Sequence, residues 1–156
     1  MGKLLNKLKY KNDWSAHKEI ADTAVQFLLS QWKRTFDLLI AVPSYQKWAN
    51  DPLVWLAKAI GQEAGIPVSD SCLARVKKLP KLKNSKSFDD RKRLLEDAHK
   101  VTSIESTKGK RILVFDDLIE SGSTLSSITE LLQSEGQAAE VSVLAICSTL
   151  PASWKI

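Results

Sequence analysis

Residues 112–125 read Ile112-Leu113-Val114-Phe115-Asp116-Asp117-Leu118-Ile119-Glu120-Ser121-Gly122-Ser123-Thr124-Leu125. Four apolar residues run straight into two acids, as in a parallel strand buried on both faces and ending in polar groups. The carboxyl end of such a strand is where an open α/β sheet binds its ligand. After the apolar step Leu118-Ile119, the turn Glu120 to Thr124 is dense in hydroxyls and holds one glycine. It leads into a helical spacing at Leu125, Ile128, Leu131 and Leu132. A helix amino terminus, with its free N–H groups, is a natural seat for phosphate. Carboxylates beside such a seat suit a phosphorylated sugar: acids for ribose hydroxyls, amides and hydroxyls for the 5′-phosphate. The plainer alternative makes Asp116 a solvating strand end and Ser121, Ser123 or Thr124 an ordinary helix N-cap. A P-loop would need Gly-x-x-x-x-Gly-Lys-Ser/Thr, and the chain has no such string.

Outward from this stretch, strand and helix patterns alternate. Trp14 to Trp32 fits a helix with Ile20, Ala24, Phe27 and Leu28 on one stripe and Asp13 as N-cap. Leu38 to Val42 reads as a buried strand stopped by Pro43. Asp51-Pro52 opens a second helix whose core face is Leu53, Leu56, Ala57, Ile60 and Ala64, ended by Gly65. Ile66 to Val68 is a short strand, residues 77–88 a loop, and Phe88 to Ala98 a helical segment that continues to His99. Lys108-Gly109-Lys110 turns into the 112–115 strand. Ser123 to Glu135 is a helix capped by Gly136, and Val141 to Cys147 a last buried strand. This alternation predicts a single α/β domain over residues 1–156, with a parallel sheet flanked by helices.

With 156 residues, 44% hydrophobic and 26% charged, the chain is long enough for one buried core. No apolar run approaches the roughly 20 residues that cross a bilayer. The start lacks the apolar stretch of a secretory signal, and Asn6 stands where a myristoylation motif wants Ser or Thr. Cys72 and Cys147, far apart in apolar surroundings, read as two buried thiols rather than a disulfide or metal site. The expected location is therefore cytoplasmic, with no membrane partner. Of the net charge of +5, residues 75–93 carry +7, from nine basic side chains against Asp89 and Asp90, and the remainder carries −2. That segment reads as a closing lid for an anionic ligand, as a solvated face, or as a track for a nucleic-acid backbone. Phe88 is the one aromatic within it, which gives little for single-stranded bases to stack on.

The 112–125 pattern resembles the phosphoribosyl pyrophosphate (PRPP) signature of type I phosphoribosyltransferases: an apolar strand, two acids, two apolar residues and a Thr/Ser-Gly-x-Thr turn. Weaker matches resemble the ComF group within that superfamily. They are Leu5 to Tyr10, Ala41-Val42-Pro43, Leu73 to Lys78, Arg91 and Leu94. The chain departs from that group in four ways. It lacks a clear counterpart, near Pro80 to Lys83, of the Gln usual in the basic segment. It has no paired-cysteine zinc ribbon, it reads Tyr45 to Asn50 where Arg-Gly-Phe-Asn-Gln is usual, and it has Glu120 where Thr is usual.

The resemblance implies the type I phosphoribosyltransferase fold with a small N-terminal helical hood over residues 1–36. It implies transfer of a phosphoribosyl group from PRPP to a base or other nucleophile, with release of pyrophosphate. Asp116 and Asp117 would hold the ribose and stabilise its developing positive charge. Ser121, Gly122, Ser123 and Thr124 would clamp the 5′-phosphate. Pro43, Ser44 and Tyr45, with Arg75, Lys77 and Lys78 on the lid, would meet the pyrophosphate. Glu120 is either an acid placed near the positive helix end or a proton acceptor facing a nucleobase. Magnesium would arrive bound through PRPP or pyrophosphate, and no protein cage for a metal is visible. A nucleoside monophosphate is an equivalent ligand, and a homodimer is the implied assembly. Two other functions stay open: a non-catalytic PRPP or nucleotide-binding module, and a single-stranded nucleic-acid-binding protein of the ComF, DNA-uptake type.

Overall fold

The computed structural model describes residues 15–32, 35–44, 51–78, 95 and 97–149. In chain order the elements are α1 (Ser15–Gln31), β1 (Leu38–Ala41), α2 (Pro52–Ala64), β2 (Val68–Ser69), β3 (Leu73–Arg75), β4 (His99–Val101), β5 (Arg111–Ile119), α3 (Ser123–Ser134) and β6 (Glu140–Ser148). Four strands form a parallel sheet in the order β2-β1-β5-β6, and β3 and β4 form a separate antiparallel pair. The expected parallel sheet between helices, with a helix ahead of it, is what forms.

Strand composition and burial agree. Leu38 to Ala41 and Ile112 to Phe115 are all buried, because both faces of these central strands are covered. One face carries α1 and α2: Ile20, Val25, Leu56 and Ile60 enclose Leu39, Ala41, Leu113 and Phe115. The other carries α3 and the β3–β4 pair: Leu125, Ile128, Leu132, Leu73 and Val101 enclose Leu38, Ile40, Ile112 and Val114. At the amino ends of β1 and β5, the Arg111 guanidinium donates to both carboxylate oxygens of Asp37, from Nε at 3.0 Å and Nη2 at 2.7 Å. The Arg111 amide donates to the same carboxylate at 2.9 Å. Arg111 holds the Asp37 carboxyl well below the usual carboxylate range. The pair is exposed to solvent, so it pins strand register more than it adds stability.

The second helix begins and ends as its sequence demands. The Asp51 carboxylate accepts the Leu53 amide at 2.9 Å, Pro52 fills the first turn, and Gly65 closes the helix with φ of +69°. Gly61 lies inside that helix for a different reason. A Cβ there would come within 2.6 Å of the Ile66 carbonyl oxygen and collide with the Val68 side chain. An interior helical Gly→Ala change ordinarily stabilises by up to about 1 kcal/mol. Here the sign reverses: Gly61→Ala is expected to cost about 1–3 kcal/mol by overpacking, read as a lower urea midpoint at unchanged slope. An unchanged or raised midpoint would show that α2 and β2 have room to separate.

Several sequence expectations are corrected. His99 lies on a strand, not in a helical segment. β3 and β4, three residues each, had no legible periodicity, and each exists only by pairing with the other: Leu73 faces Val101, Ala74 faces Lys100 and Arg75 faces His99. The signature strand does not stop at Phe115 but runs on through both acids to Ile119, because β6 supplies pairing partners up to Ser148. β6 itself is half-buried along Val141 to Cys147 rather than fully buried, since among the described residues it pairs only with β5. Cys147 is accordingly half-buried, whereas Cys72 is buried as expected. Gly136 is not the cap of α3: its φ is not positive, and Glu135 ends the helix in right-handed conformation. Trp55, on α2, is 52% exposed. Asp13, Trp14, Tyr45, Trp48, Trp154 and most of the basic segment lie outside the described residues. Among the described residues no helix is long and apolar enough to cross a membrane.

Candidate ribose-phosphate site

The direction in which the chain adds strands reverses between β1 and β5. From β1 it moves outward to β2, then returns to place β5 and β6 on the opposite side. Ligands of open α/β sheets bind outside the carboxyl ends of the strands at such a switch point. Both strands carry predicted site residues there. The Val42 amide donates to the Phe115 carbonyl at 2.9 Å, so Pro43 and Ser44 leave β1 beside the point where Asp116 and Asp117 follow Phe115.

Burial clusters show how the two acids are presented. Leu113 and Phe115 face α1 and α2, while Ile112 and Val114 face α3. Alternation along a strand then puts Asp116 on the α3 side and Asp117 on the α1/α2 side. The β6 residues agree: Ala145, paired with Asp116, packs on the α3 side, and Ile146 packs on the other. Past this rung alternation breaks, because Ile119 belongs to the α3-side cluster and Cys147 to the opposite one. The carboxylates thus straddle the last regular rung of the sheet. Both residues are half-buried, and Asp116 Oδ1 accepts the Asp117 amide at 2.8 Å. They line an open cleft of about 180 Å³ with Leu118, Ile119, Glu120, Ser121, Gly122, Thr124 and Leu125.

The far wall of the cleft is the start of α3. Gly122 is its N-cap, with φ of +75° and no side chain to cap the helix, and the Ser121 hydroxyl accepts the Ser123 amide at 3.5 Å. A left-handed residue at this point is natural only for glycine. The Gly122 carbonyl accepts the first helical amide, from Ser126, at 2.9 Å. The amides ahead of it are those a helix leaves without intrahelical partners. Ser123 is 1% exposed and does not line the cleft: its hydroxyl sits 2.8 Å from that of Ser121 and braces the turn from below. Glu120 is exposed at the rim.

Of the residues singled out from sequence, Asp116, Asp117, Glu120, Ser121, Gly122 and Thr124 come together in this cleft. Pro43 and Ser44 adjoin it at the end of β1. Arg75, Lys77 and Lys78 do not line it, since they belong to the β3–β4 pair and its continuation, where Arg75 is half-buried and both lysines are exposed. Sequence reasoning treated Leu118, Ile119 and Leu125 as packing residues only, yet their apolar surfaces form part of the wall. Their spacing carries no sign of this, because it arises where the strand ends and the helix turns back. Among the described residues, no group of three or more His, Cys, Asp and Glu is placed to hold a metal ion.

The family described as "Phosphoribosyl transferase domain" matches residues 56–153. No curated protein sequence matches the chain. Among solved structures, an adenine phosphoribosyltransferase superposes with a TM-score of 0.60 at 12% identity, over 90% of this chain and 74% of that one. The glutamine PRPP amidotransferase of B. subtilis, complexed with ADP and GMP, gives 0.56 at 20% identity, over 84% of this chain and 26% of that one. The Trypanosoma brucei adenine phosphoribosyltransferase, in complex with AMP, pyrophosphate and ribose-5-phosphate, gives 0.57 at 16% identity, over 88% and 54%. The chain thus spans about a quarter of the amidotransferase and about half of the trypanosomal protein. At these identities the likeness is one of fold.

Proposed function

Because the chain belongs to the family of phosphoribosyl transferase domains, we propose that it binds PRPP at the carboxyl ends of β1 and β5 and transfers the phosphoribosyl group. The observation that carries this reading is the cleft itself: an acid pair and a helix start line it together at the switch point of the sheet.

The amides of the Ser121 to Thr124 turn, with the Ser121 and Thr124 hydroxyls, take the 5′-phosphate, aided by the positive end of α3. Glycine at 122 lets the backbone approach without a side chain in the way. Asp116 and Asp117, one from each side of the last rung, accept the ribose hydroxyls. Pro43 and Ser44 border the pyrophosphate, and Arg75, Lys77 and Lys78 supply neutralising charge from the β3–β4 pair and its continuation. In the reaction the bond from ribose C1 to the pyrophosphate oxygen breaks, and its electron pair leaves with pyrophosphate. A lone pair of the acceptor forms the new bond to C1, and the acceptor proton passes to Glu120 or to water. The ribose becomes cationic as the bonds exchange, and the two carboxylates hold that charge in place. Magnesium, bound by the PRPP phosphates, offsets charge on the leaving group.

The test is calorimetry of PRPP with magnesium, paired with an assay of pyrophosphate release across candidate bases. Binding together with release supports transfer. Binding without release reduces the protein to a PRPP-binding module, and absence of both removes the reading.

A further inference from the structure

On the β3–β4 pair, His99 is a polar side chain that the transfer chemistry does not account for, and it stands opposite Arg75. Arg75 and His99 face each other across the antiparallel ladder, where directly opposed Cβ atoms lie about 4.5–5.5 Å apart. His99 is 6% exposed. Both of its ring nitrogens and the Arg75 Nε are buried without a hydrogen-bond partner. They share the inward face of the pair with Leu73 and Val101, whose burial in the core fixes that orientation. Buried polar atoms are nearly always satisfied, and one left unpaired costs about 1–3 kcal/mol. Three in one place describe two side chains lacking partners: the Arg75 Nε–H is a donor, and a neutral imidazole offers one donor and one acceptor.

Among the described residues, the other charged groups nearby do not partner these atoms. On β4 and its approach, Lys100 and Asp97 are exposed. Beyond Arg75, Lys77 and Lys78 are exposed, and the Lys77 amide reaches the Ala98 carbonyl at 3.4 Å. The other element packed against β4 is α3, whose one ionisable side chain, Glu130, is exposed and accepts from Ser126 at 3.4 Å. Arg75 is the charge that His99 meets. Burial, and then Arg75, push the imidazole down to about 4, so it is neutral near pH 7.

We propose that Arg75 and His99 form a proton-coupled oxyanion subsite, in which a pyrophosphate oxygen bound by Arg75 draws a proton onto His99. The inference rests on the PRPP reading and extends it to a residue that reading leaves idle. An oxyanion supplies the missing acceptor to Arg75 Nε and cancels the charge that His99 otherwise faces. It thereby favours imidazolium, both of whose nitrogens are donors. At pH values between those of free and ligand-bound His99, a proton is taken up from solvent as the anion binds and is returned when pyrophosphate leaves. By linkage, pyrophosphate-bearing ligands bind more tightly as pH falls toward the range in which His99 protonates.

The chain has two histidines, so imidazole NMR resolves the matter directly. The pH titrations of His99 and His17 are recorded for the whole chain alone, with PRPP and magnesium, and with ribose 5-phosphate. Backbone amides of Ser121 to Thr124 report phosphate at the helix start. The expected result is that both ligands shift those amides, but only PRPP raises the proton affinity of His99, by about tenfold or more, equal to one pKa unit. His17 stays unmoved, and the rise is lost in Arg75→Gln. Shifted amides with an unmoved His99 would overturn the subsite and leave the PRPP reading standing. A rise that survives Arg75→Gln, or that ribose 5-phosphate produces equally, also overturns it. If neither the amides nor His99 respond to PRPP, both readings fall together.

Discussion

Changing Asp116 and Asp117 together to Asn is expected to lower PRPP-dependent pyrophosphate release by at least about a hundredfold. Removing a single preorganised electrostatic group from a transition-state site typically costs 10²–10³ in rate, and here two carboxylates act on one cationic ribose. Asn matches Asp in shape, and its side-chain oxygen still accepts a hydrogen bond, so the contact from Asp116 to the Asp117 amide at 2.8 Å survives. What disappears is charge. Both residues are half-buried at the sheet end, so circular dichroism and the urea midpoint should stay close to those of the parent. A loss of release with an intact fold assigns the acids to the sugar. Retention of rate within tenfold would mean that the charge on the ribose is met elsewhere.

Acidification should destabilise the protein through His99. Its folded-state value is pushed down to about 4 by burial and Arg75, against an ordinary value near 6.5 in the unfolded chain. Between those values the unfolded state binds the extra proton, so stability falls as pH falls. The contribution is whole above about pH 6.5 and fully lost below about pH 4. At about 1.4 kcal/mol per pKa unit, the loss is on the order of 3 kcal/mol. His17 is lowered as well, chiefly by desolvation, and acts in the same direction. A comparison with His99→Asn, rather than the absolute slope, isolates His99. Urea unfolding at pH 7 and pH 4.5 should show a clearly smaller loss in the variant. Equal losses would mean that the imidazole takes its proton without opening the β3–β4 pair.

The parts legible in sequence were those built from local chemistry. Leu38 to Ala41 and Ile112 to Phe115 announce buried strands because central parallel strands tolerate only apolar side chains on both faces. Asp51, Pro52 and Gly65 announce both ends of α2 because caps depend on neighbours in the chain. The acid pair and the hydroxyl turn, side by side in sequence, end up side by side in the cleft. Where a residue's environment depends on a distant partner, the sequence was silent or misleading. Phe88 to Ala98, with His99 after it, has a helical look, but His99 to Val101 is held extended by Leu73 to Arg75, from which a long stretch of chain separates it. The half-burial of β6 depends on which strand lies beside it, and no property of Val141 to Cys147 encodes that.

The amino-acid order alone determined the α/β alternation, the two central strands and the ribose-phosphate motif, because each rests on interactions among near neighbours in the chain. Only the tertiary structure decided that the acids lie on opposite sides of the last rung, that β1 ends beside them, and that Arg75 meets His99 with no acceptor between them. Those relations are set by strand order and register. They bring together residues as distant in the chain as Thr35 and Arg111, 76 positions apart, through packing that no local pattern of side chains records.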